Sequence, residues 1–245
     1  MPLTVSHIAA VLPFQRVKYF SFTGLIIGSM APDFEYILRM TLYGHYGHTW
    51  PGLLFFDLPV SIAIYLLYQS VIRAVLINHL PGMLYARLHN FVDVDWKGYL
   101  KAYPLCFLFS VFIGILTHFL WDGLTHGRNY DLANHLTFLL IRIPIGRYAI
   151  PVHSIFQGIS SIVGLAILWW YLWQMPAQTE ITTDPEKVKR YWWRILILTV
   201  FIFCVRLFVG IPNEKLIGQL IVIGMSAVGL SITIISFIYK IYKLN

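Results

Sequence analysis

Five long apolar stretches limit what this chain can fold into more than any other feature of its sequence. A helix needs about 20 residues to cross the hydrocarbon core of a membrane, and each stretch is close to or above that length. Their approximate bounds are Leu53–Ile77, Tyr103–Trp121, Ile155–Trp173, Trp193–Ile211 and Leu216–Tyr239. A sixth stretch, Phe20–Ala31, is too short to span by itself and is followed by Pro32, so we expect a re-entrant or half-buried helix there, with a tilted span as the alternative. The pattern predicts an all-α integral membrane protein with about five transmembrane helices and one short N-terminal helix.

The composition supports this fold class. Of the 245 residues, 58% are hydrophobic and 12% are charged, whereas soluble domains are about half apolar and a quarter charged. This difference excludes an ordinary soluble domain and a disordered chain. The 18 basic residues outnumber the 11 acidic ones but form no compact block, so we expect contact with membrane lipid and no nucleic-acid binding.

Histidine is confined to one part of the chain. All nine histidines lie between His7 and His153, and the last two apolar stretches contain none. This asymmetry predicts a membrane-embedded domain with a metal site over residues 1–165 and a scaffold of C-terminal transmembrane helices over residues 166–245.

The His118-x3-Asp122-x3-His126 pattern is the most specific candidate site. Steps of four residues keep side chains on one face of a helix, so two imidazoles and a carboxylate converge. Zinc and other divalent metals prefer this ligand set. Burial of these groups in an apolar helix is costly unless they are paired or bound to a metal. The alternative is an interfacial hydrogen-bonded pair of His118 and Asp122, with His126 in water.

Three earlier residues are candidates to complete the site. His7 precedes an apolar stretch, Asp33 follows Pro32 at the end of the short apolar stretch, and His48 lies in a glycine-rich segment. With five spans, all three fall on the same side of the membrane as His118. Asp33 has the alternative role of a helix cap in an Ala-Pro-Asp turn.

The other polar candidates are weaker. His45 is interpreted as an ordinary loop residue, with a site role as the alternative, and neither interpretation is favoured for His153. Asp57, within the first span, is expected to pair with a loop group or to hydrogen-bond at the interface, although an intramembrane carboxylate is also a candidate site residue. The remaining histidines, expected to be solvated or interfacial, are His79, His89 and His135.

Several short motifs follow one another in the first 60 residues. They are Ser6-His7-Ile8-Ala9-Ala10, Gly28-Ser29-Met30-Ala31-Pro32-Asp33-Phe34-Glu35-Tyr36, Gly47-His48-Thr49 and Gly52-Leu53-Leu54-Phe55-Phe56-Asp57-Leu58-Pro59. Together they resemble an uncharacterised bacterial membrane family, domain-of-unknown-function family 4184. The resemblance runs to about residue 165, includes Gln157-Gly158-Ile159-Ser160-Ser161, and implies a multi-pass protein of the bacterial inner membrane.

A more distant resemblance rests on single residues in the same order. They are His7, Pro32-Asp33, the segment from His45 to Thr49, His118, Asp122, Thr125 and Gly127. This order is similar to an inner-membrane family of metal-dependent hydrolases, some described as LexA-binding, and through it to the zinc phospholipase C and P1 nuclease group. The resemblance implies an all-helical enzyme with zinc held by histidine and aspartate. The chain departs from that pattern because His45-Tyr46-Gly47 lacks an arginine and no later helix carries a clear His-x3-Glu pair.

Two functions agree with these patterns. The first is a membrane-bound metal-dependent hydrolase with one or two divalent metals, zinc by preference, that acts at the membrane surface on a lipid-linked phosphoester, or else on an amide or ester. Asp33 or Asp122, if not a ligand, would orient water or act as general base. The expected metal ligands are His7, Asp33, His48, His118, Asp122 and His126. The basic residues expected to neutralise a phosphate are Arg128, Arg142 and Arg147. The second function is a non-catalytic transporter, binding or scaffold subunit with a structural His/Asp cluster.

Overall fold

The protein is described here by a computed structural model that covers residues 3–126, 136–146, 148–178, 182–212 and 215–243. The described residues are mostly helical. The α helices are α1 (Phe22–Met30), α2 (Phe34–Arg39), α3 (Trp50–Asn78), α4 (Gly82–Leu88), α5 (Trp96–Ala102), α6 (Pro104–Thr125), α7 (Val152–Gln174), α8 (Pro185–Val209) and α9 (Leu216–Tyr242). Turns of 3₁₀ helix cover Thr4–Phe14, Ala31–Asp33, His89–Phe91 and Thr137–Leu140.

Five of these helices, α3 and α6 to α9, are long and apolar enough to cross a membrane. The chain is therefore a multi-pass membrane protein, and the predicted fold class is confirmed. The largest difference in bounds is at α8, which begins at Pro185 and not at Trp193. Its first turns are polar, and its start is set by capping, because the side chain of Asp184 accepts a hydrogen bond from the Glu186 N–H.

The short N-terminal helix is also confirmed. Helix α1 has nine residues and is about 14 Å long, too short to cross a membrane. The side chain of Ser21 caps its first turn, and Pro32 follows its end. The preceding 3₁₀ helix, Thr4–Phe14, was not predicted; its period of three residues puts Thr4 and His7 on the same face.

A small β-hairpin between α6 and α7 was not predicted either. Its strands, β1 (Arg142–Ile145) and β2 (Tyr148–Pro151), are antiparallel, with Arg142 opposite Pro151. Gly146 lies at the turn with a φ of +60°, a backbone conformation that glycine adopts without steric cost. The Arg142 guanidinium donates to the Ala149 carbonyl at 3.1 Å and 3.2 Å, which ties the two strands together.

The chain forms two compact units, each built from separate parts of the sequence. The first contains residues 1–34, 46–61 and 103–173, and the second contains residues 35–45, 62–102 and 174–245. The predicted division at residue 165 concerned where the chemistry lies and not compactness, and it stays a prediction.

In the first unit, α1 packs closely against α6. A Cβ atom added at Gly28 would lie 2.2 Å from the Val111 carbonyl oxygen, and one at Gly114 would lie 2.5 Å from the Leu25 carbonyl oxygen. Only glycine permits this approach, because any side chain would meet the facing backbone. The contact positions the polar C-terminal half of α6 beside the end of α1.

In the second unit, α8 and α9 share a buried cluster that includes Tyr191 and Tyr239. His79 packs against these two rings at centroid distances of 4.6 Å and 5.0 Å, and its Nδ1 lies 2.7 Å from the Val75 carbonyl oxygen. His79 is therefore not solvated as one alternative expected, and its place at the membrane interface stays a prediction. Its sequence neighbours gave no sign of this burial, because the two tyrosines lie more than 110 residues downstream.

Candidate metal centre

The structure brings all six predicted metal ligands together within the first unit. His7 lies on the N-terminal 3₁₀ helix, Asp33 ends the turn after α1, and His48 lies in the segment before α3. The other three side chains project from the last turns of α6 and the residue that follows it. They are His118, Asp122 and His126. That these residues bind a metal stays a prediction, but their convergence is a structural fact.

Asp122 lies at the centre of the cluster, with histidines facing both of its carboxylate oxygens. Its Oδ1 lies 3.7 Å from Nε2 of His7 and 3.4 Å from Nδ1 of His126. Its Oδ2 lies 3.3 Å from Nε2 of His48 and 3.4 Å from Nε2 of His118. The two oxygens thus divide the four imidazoles into two pairs.

Asp33 approaches the cluster on the Oδ2 side of Asp122. Its Oδ1 lies 3.6 Å from Nε2 of His48 and 3.8 Å from Nε2 of His118, and these two nitrogens are 3.3 Å apart. Ligand atoms bound tetrahedrally to a metal at about 2.1 Å are separated by about 3.4 Å. The separations around Asp122 and Asp33 are therefore those of side chains able to share a metal ion.

Several groups of three residues among the described ones have ligand atoms close enough to share a metal ion, and two overlapping groups serve as examples. In each group, one ligand atom per residue lies within 4.8 Å of the other two, and the groups share His118. They are His7, His118 and Asp122, and Asp33, His48 and His118. The rings of His7 and His118 are stacked with centroids 3.9 Å apart, so that both present their Nε2 atoms toward Asp122.

The cluster is nearly closed to solvent. The side chains of His7, Asp33, His118 and Asp122 are no more than 2% exposed, whereas His48 is 12% and His126 24% exposed. Neither ring nitrogen of His7 has a hydrogen-bond partner among the described residues. A buried imidazole with both nitrogens unsatisfied is costly in an apo protein, and a metal would satisfy its Nε2.

Burial sets the protonation of the groups outside the membrane-spanning helices. Burial, together with the neighbouring His118 imidazole, holds the pKa of His7 well below its usual range. Burial also lowers the pKa of His126 to about 4, and it raises the pKa of the Asp33 carboxyl. His7 and His126 are therefore neutral near pH 7, so their contacts with Asp122 are not ion pairs. Neutral imidazole is the form that binds a metal.

Hydrogen bonds from outside the cluster orient two of the ligands. Nδ1 of His118 lies 2.8 Å from the Ser29 carbonyl oxygen, so Nδ1 donates to that oxygen and Nε2 faces the site. The Thr4 hydroxyl donates to Oδ2 of Asp33 at 2.7 Å, which leaves Oδ1 facing the histidines. Gly47, next to His48, is needed for close approach, since a Cβ there would lie 2.4 Å from the Pro32 carbonyl oxygen.

The other sequence candidates do not belong to either of these two groups of three. The His45 side chain is exposed, and its backbone N–H donates to Glu35 at 2.7 Å. Nδ1 of His153, which lies at the start of α7, is 3.3 Å from the Ser154 hydroxyl. Asp57 is fully buried in a π-helical turn of α3, with its Oδ1 3.3 Å from the Cβ position of Gly47.

Of the three arginines predicted to neutralise a phosphate, the structure describes one. Arg142 is exposed on the hairpin, where its guanidinium bonds to Ala149. Arg128 and Arg147 lie outside the described residues, as does His135.

Sequence reasoning missed three contributors to the site: the Thr4 hydroxyl, the Ser29 carbonyl and Gln157. The side-chain Nε2 of Gln157 lies 3.3 Å from Nε2 of His126. The only signal for Thr4 is its spacing of three from His7, which becomes meaningful once the segment is known to be a 3₁₀ helix. The signal for Gln157 was the Gln157–Ser161 motif, to which no role was given.

Comparison with known proteins gives a family and no relative of established activity. Neither the curated proteins nor the solved structures include a match to this chain. The family model described as "Domain of unknown function (DUF4184)" matches residues 1–239, beyond residue 165, where the recognised motifs end. The chain therefore belongs to this family along almost its whole length, the last two transmembrane helices included.

Proposed function

We propose that this chain is a metal-dependent hydrolase of the bacterial inner membrane that acts at the membrane surface on a lipid-linked phosphoester. The observation that carries the proposal is the convergence of four imidazoles on the two oxygens of one buried carboxylate, Asp122. The four nitrogen–oxygen separations, 3.3–3.7 Å, are longer than ordinary N–H···O hydrogen bonds and close to those between ligands of one metal ion. A divalent metal accounts for this arrangement, because several lone pairs would share one cation.

In this proposal Asp122 would help to hold one or two divalent metals, zinc by preference, with a position beside each of its oxygens. The first position, at Oδ1, is formed with His7 and His126. The second, at Oδ2, is formed with His48 and His118, with Asp33 beside it. Occupation of one position alone would give a single-metal centre with the ligands of that position.

The chemistry would be hydrolysis by activated water. A divalent metal lowers the pKa of a bound water toward 7 and polarises a phosphoryl oxygen. Asp33 is the residue best arranged to handle the proton. Thr4 holds one of its oxygens, the other faces the ligand atoms, and burial raises its pKa toward the range useful for a general base.

The substrate class follows from where the cluster opens. Asp122 lies in the last turn of α6, so the site is close to the membrane surface, and the two partly exposed ligands, His48 and His126, mark its open edge. The rings of Phe119 and Trp50 continue from His48, with centroids 6.5 Å and 5.6 Å apart in succession. A phosphoester at the interface with an apolar chain in the membrane matches this combination of polar site and apolar rim.

Metal analysis tests the first half of the proposal. The full-length protein, purified in detergent, is expected to carry zinc or another divalent metal, and His118→Ala/Asp122→Ala is expected to lose it. The matched control is His89→Ala/Asp93→Ala, a pair with the same spacing outside the cluster. Negligible metal in all three proteins would refute the proposal, as would equal metal in the wild type and the site variant.

Hydrolysis tests the second half. The metal-loaded protein in mixed micelles is expected to cleave a chromogenic phosphodiester or a phosphoester lipid, and Asp33→Asn is expected to lose most of this activity. If the protein binds metal with the stated ligands but hydrolyses no phosphoester, ester or amide, the cluster is structural. The protein would then be the non-catalytic scaffold or binding subunit of the alternative.

A further inference from the structure

Helix α7 carries one short polar face on a surface that is otherwise apolar. Gln157, Ser161 and Gly164 are spaced by four and three residues, which puts them on the same side of the helix. Gly164 is buried, although most side chains around it on α7 are exposed. Polar side chains in a transmembrane helix need partners. Gln157 has one at His126, and Ser161 has one in the N-terminal segment, which Gly164 also contacts.

Gln157 contacts the imidazole nitrogen of His126 that faces away from the cluster. Nδ1 of His126 lies 3.4 Å from Oδ1 of Asp122, while Nε2 lies 3.3 Å from the carboxamide nitrogen of Gln157. With Nδ1 on a metal, the proton of His126 is on Nε2. A half-turn of the Gln157 carboxamide, which exchanges its nitrogen and oxygen, then lets the oxygen accept that proton. The backbone of Gln157 is held in turn, because the hydroxyls of Ser161 and Ser160 donate to its carbonyl oxygen at 2.8 Å and 3.1 Å.

Ser161 also holds the segment that carries His7. Its hydroxyl oxygen accepts a hydrogen bond from the Leu3 N–H at 3.3 Å, where the N-terminal 3₁₀ helix is about to begin. One turn further along α7, Gly164 leaves room for Ser6, since a Cβ there would lie 2.8 Å from the Ser6 Cβ. The residue after Ser6 is His7. Helix α7 thus contacts both segments whose histidines face Oδ1 of Asp122.

We propose that Gln157 and Ser161 are positioning residues that hold His126 and His7 at the Oδ1 side of Asp122, and so determine metal affinity at that position. The proposal rests on the proposed function, since it assumes that the cluster binds a metal. It assigns α7 a role in the site although none of its residues belongs to the six ligands. Residues that orient the ligands of a metal typically change its affinity by about 10- to 100-fold.

Cobalt binding provides the test, because Co²⁺ occupies zinc sites and its visible absorption reports the ligand geometry. The full-length protein is stripped of metal in detergent and titrated with Co²⁺, as are Gln157→Ala, Gln157→Glu and Ser161→Ala. Ser160→Ala is the matched control, since Ser160 shares the bond to the Gln157 carbonyl but has no bond to Leu3. Circular dichroism and gel filtration of each variant check that it is folded.

Gln157→Ala is expected to weaken Co²⁺ binding by about 10- to 100-fold and to change the absorption spectrum, and Ser161→Ala is expected to weaken it less. Gln157→Glu should restore tight binding, because its carboxylate still accepts the His126 proton; a merely structural role would not favour this charged residue. A Co²⁺ affinity and spectrum in Gln157→Ala equal to those of the wild type would overturn the inference. Equal losses of Co²⁺ affinity in Ser160→Ala and Ser161→Ala would also overturn it. Neither result would affect the proposed function. A wild-type protein that binds no metal would instead overturn the proposed function.

Discussion

Replacing Gly28 by alanine is expected to weaken metal binding, although Gly28 touches no metal ligand. The added Cβ would lie 2.2 Å from the carbonyl oxygen, 2.9 Å from the carbonyl carbon and 3.0 Å from the Cα of Val111. All three atoms belong to the backbone of α6, so rotation of a side chain cannot relieve the overlap. Helix α1 must instead move away from α6 by about 1 Å before this contact becomes tolerable.

A shift of this size is enough to disturb the site. Ser29, the next residue, accepts the hydrogen bond from Nδ1 of His118 at 2.8 Å, and a further 1 Å would break it. Metal ligands must be held within about 0.5 Å of their working geometry, so His118 would no longer be fixed. Overpacking of this kind costs about 1–3 kcal/mol, and the higher helix propensity of alanine returns less than about 1 kcal/mol of it.

The assay compares Gly28→Ala with Gly229→Ala, a substitution in α9 where the added Cβ meets no atom within 4 Å. The midpoint temperature of thermal unfolding in detergent should fall by several degrees for Gly28→Ala and be unchanged or slightly raised for Gly229→Ala. The Co²⁺ affinity should fall only in Gly28→Ala. If Gly28→Ala matched the wild type in both measurements, the close packing of α1 on α6 would not be what positions His118.

Three other predictions concern the same site. The stability of the metal-free protein should decrease as the pH falls from about 6.5 to about 4. Burial lowers the pKa of His126 to about 4, so the unfolded state binds more protons than the folded state in this window. In a pH series of thermal melts, His126→Gln should show a smaller decrease. Gly47→Ala should weaken Co²⁺ binding, since the new Cβ would lie 2.4 Å from the Pro32 carbonyl oxygen and displace His48; an unchanged titration would contradict this. Thr4→Val should lower hydrolysis more than metal content, because it removes the donor to Oδ2 of Asp33 without removing a ligand; equal losses in the two measurements would argue that Asp33 is chiefly a ligand.

The helices and half of the site could be predicted because their signals are local. Length and apolarity identify a transmembrane helix, and a spacing of four places His118, Asp122 and His126 on one face of α6. Helix starts were less accurate, as at α8, because capping residues and not hydropathy decide them. The short hairpin and the N-terminal 3₁₀ helix were missed because neither has a strong periodic pattern.

The rest of the site depends on contacts between segments that are distant in the sequence. His7, Asp33 and His48 reach Asp122 only because α1 packs against α6 through glycines, and nothing in their own neighbourhoods encodes that approach. The support from Gln157 comes from a helix that begins 26 residues after α6 ends, and its motif could be recognised without its role being understood. The burial of His79 between Tyr191 and Tyr239 was missed for the same reason.

The charge of the cluster explains why these groups meet in one place. Asp33 and Asp122 are both almost fully buried, and among the described residues no lysine or arginine lies within 4.0 Å of either carboxylate. His7 and His126 do not supply the missing positive charge, because burial holds them neutral. Two buried carboxylates without a cation are costly in a medium of low dielectric constant. Protonated imidazoles or a bound divalent cation would supply the missing positive charge. Only the cation also satisfies Nε2 of His7, and a cluster held together by protonated imidazoles would have no need of that residue.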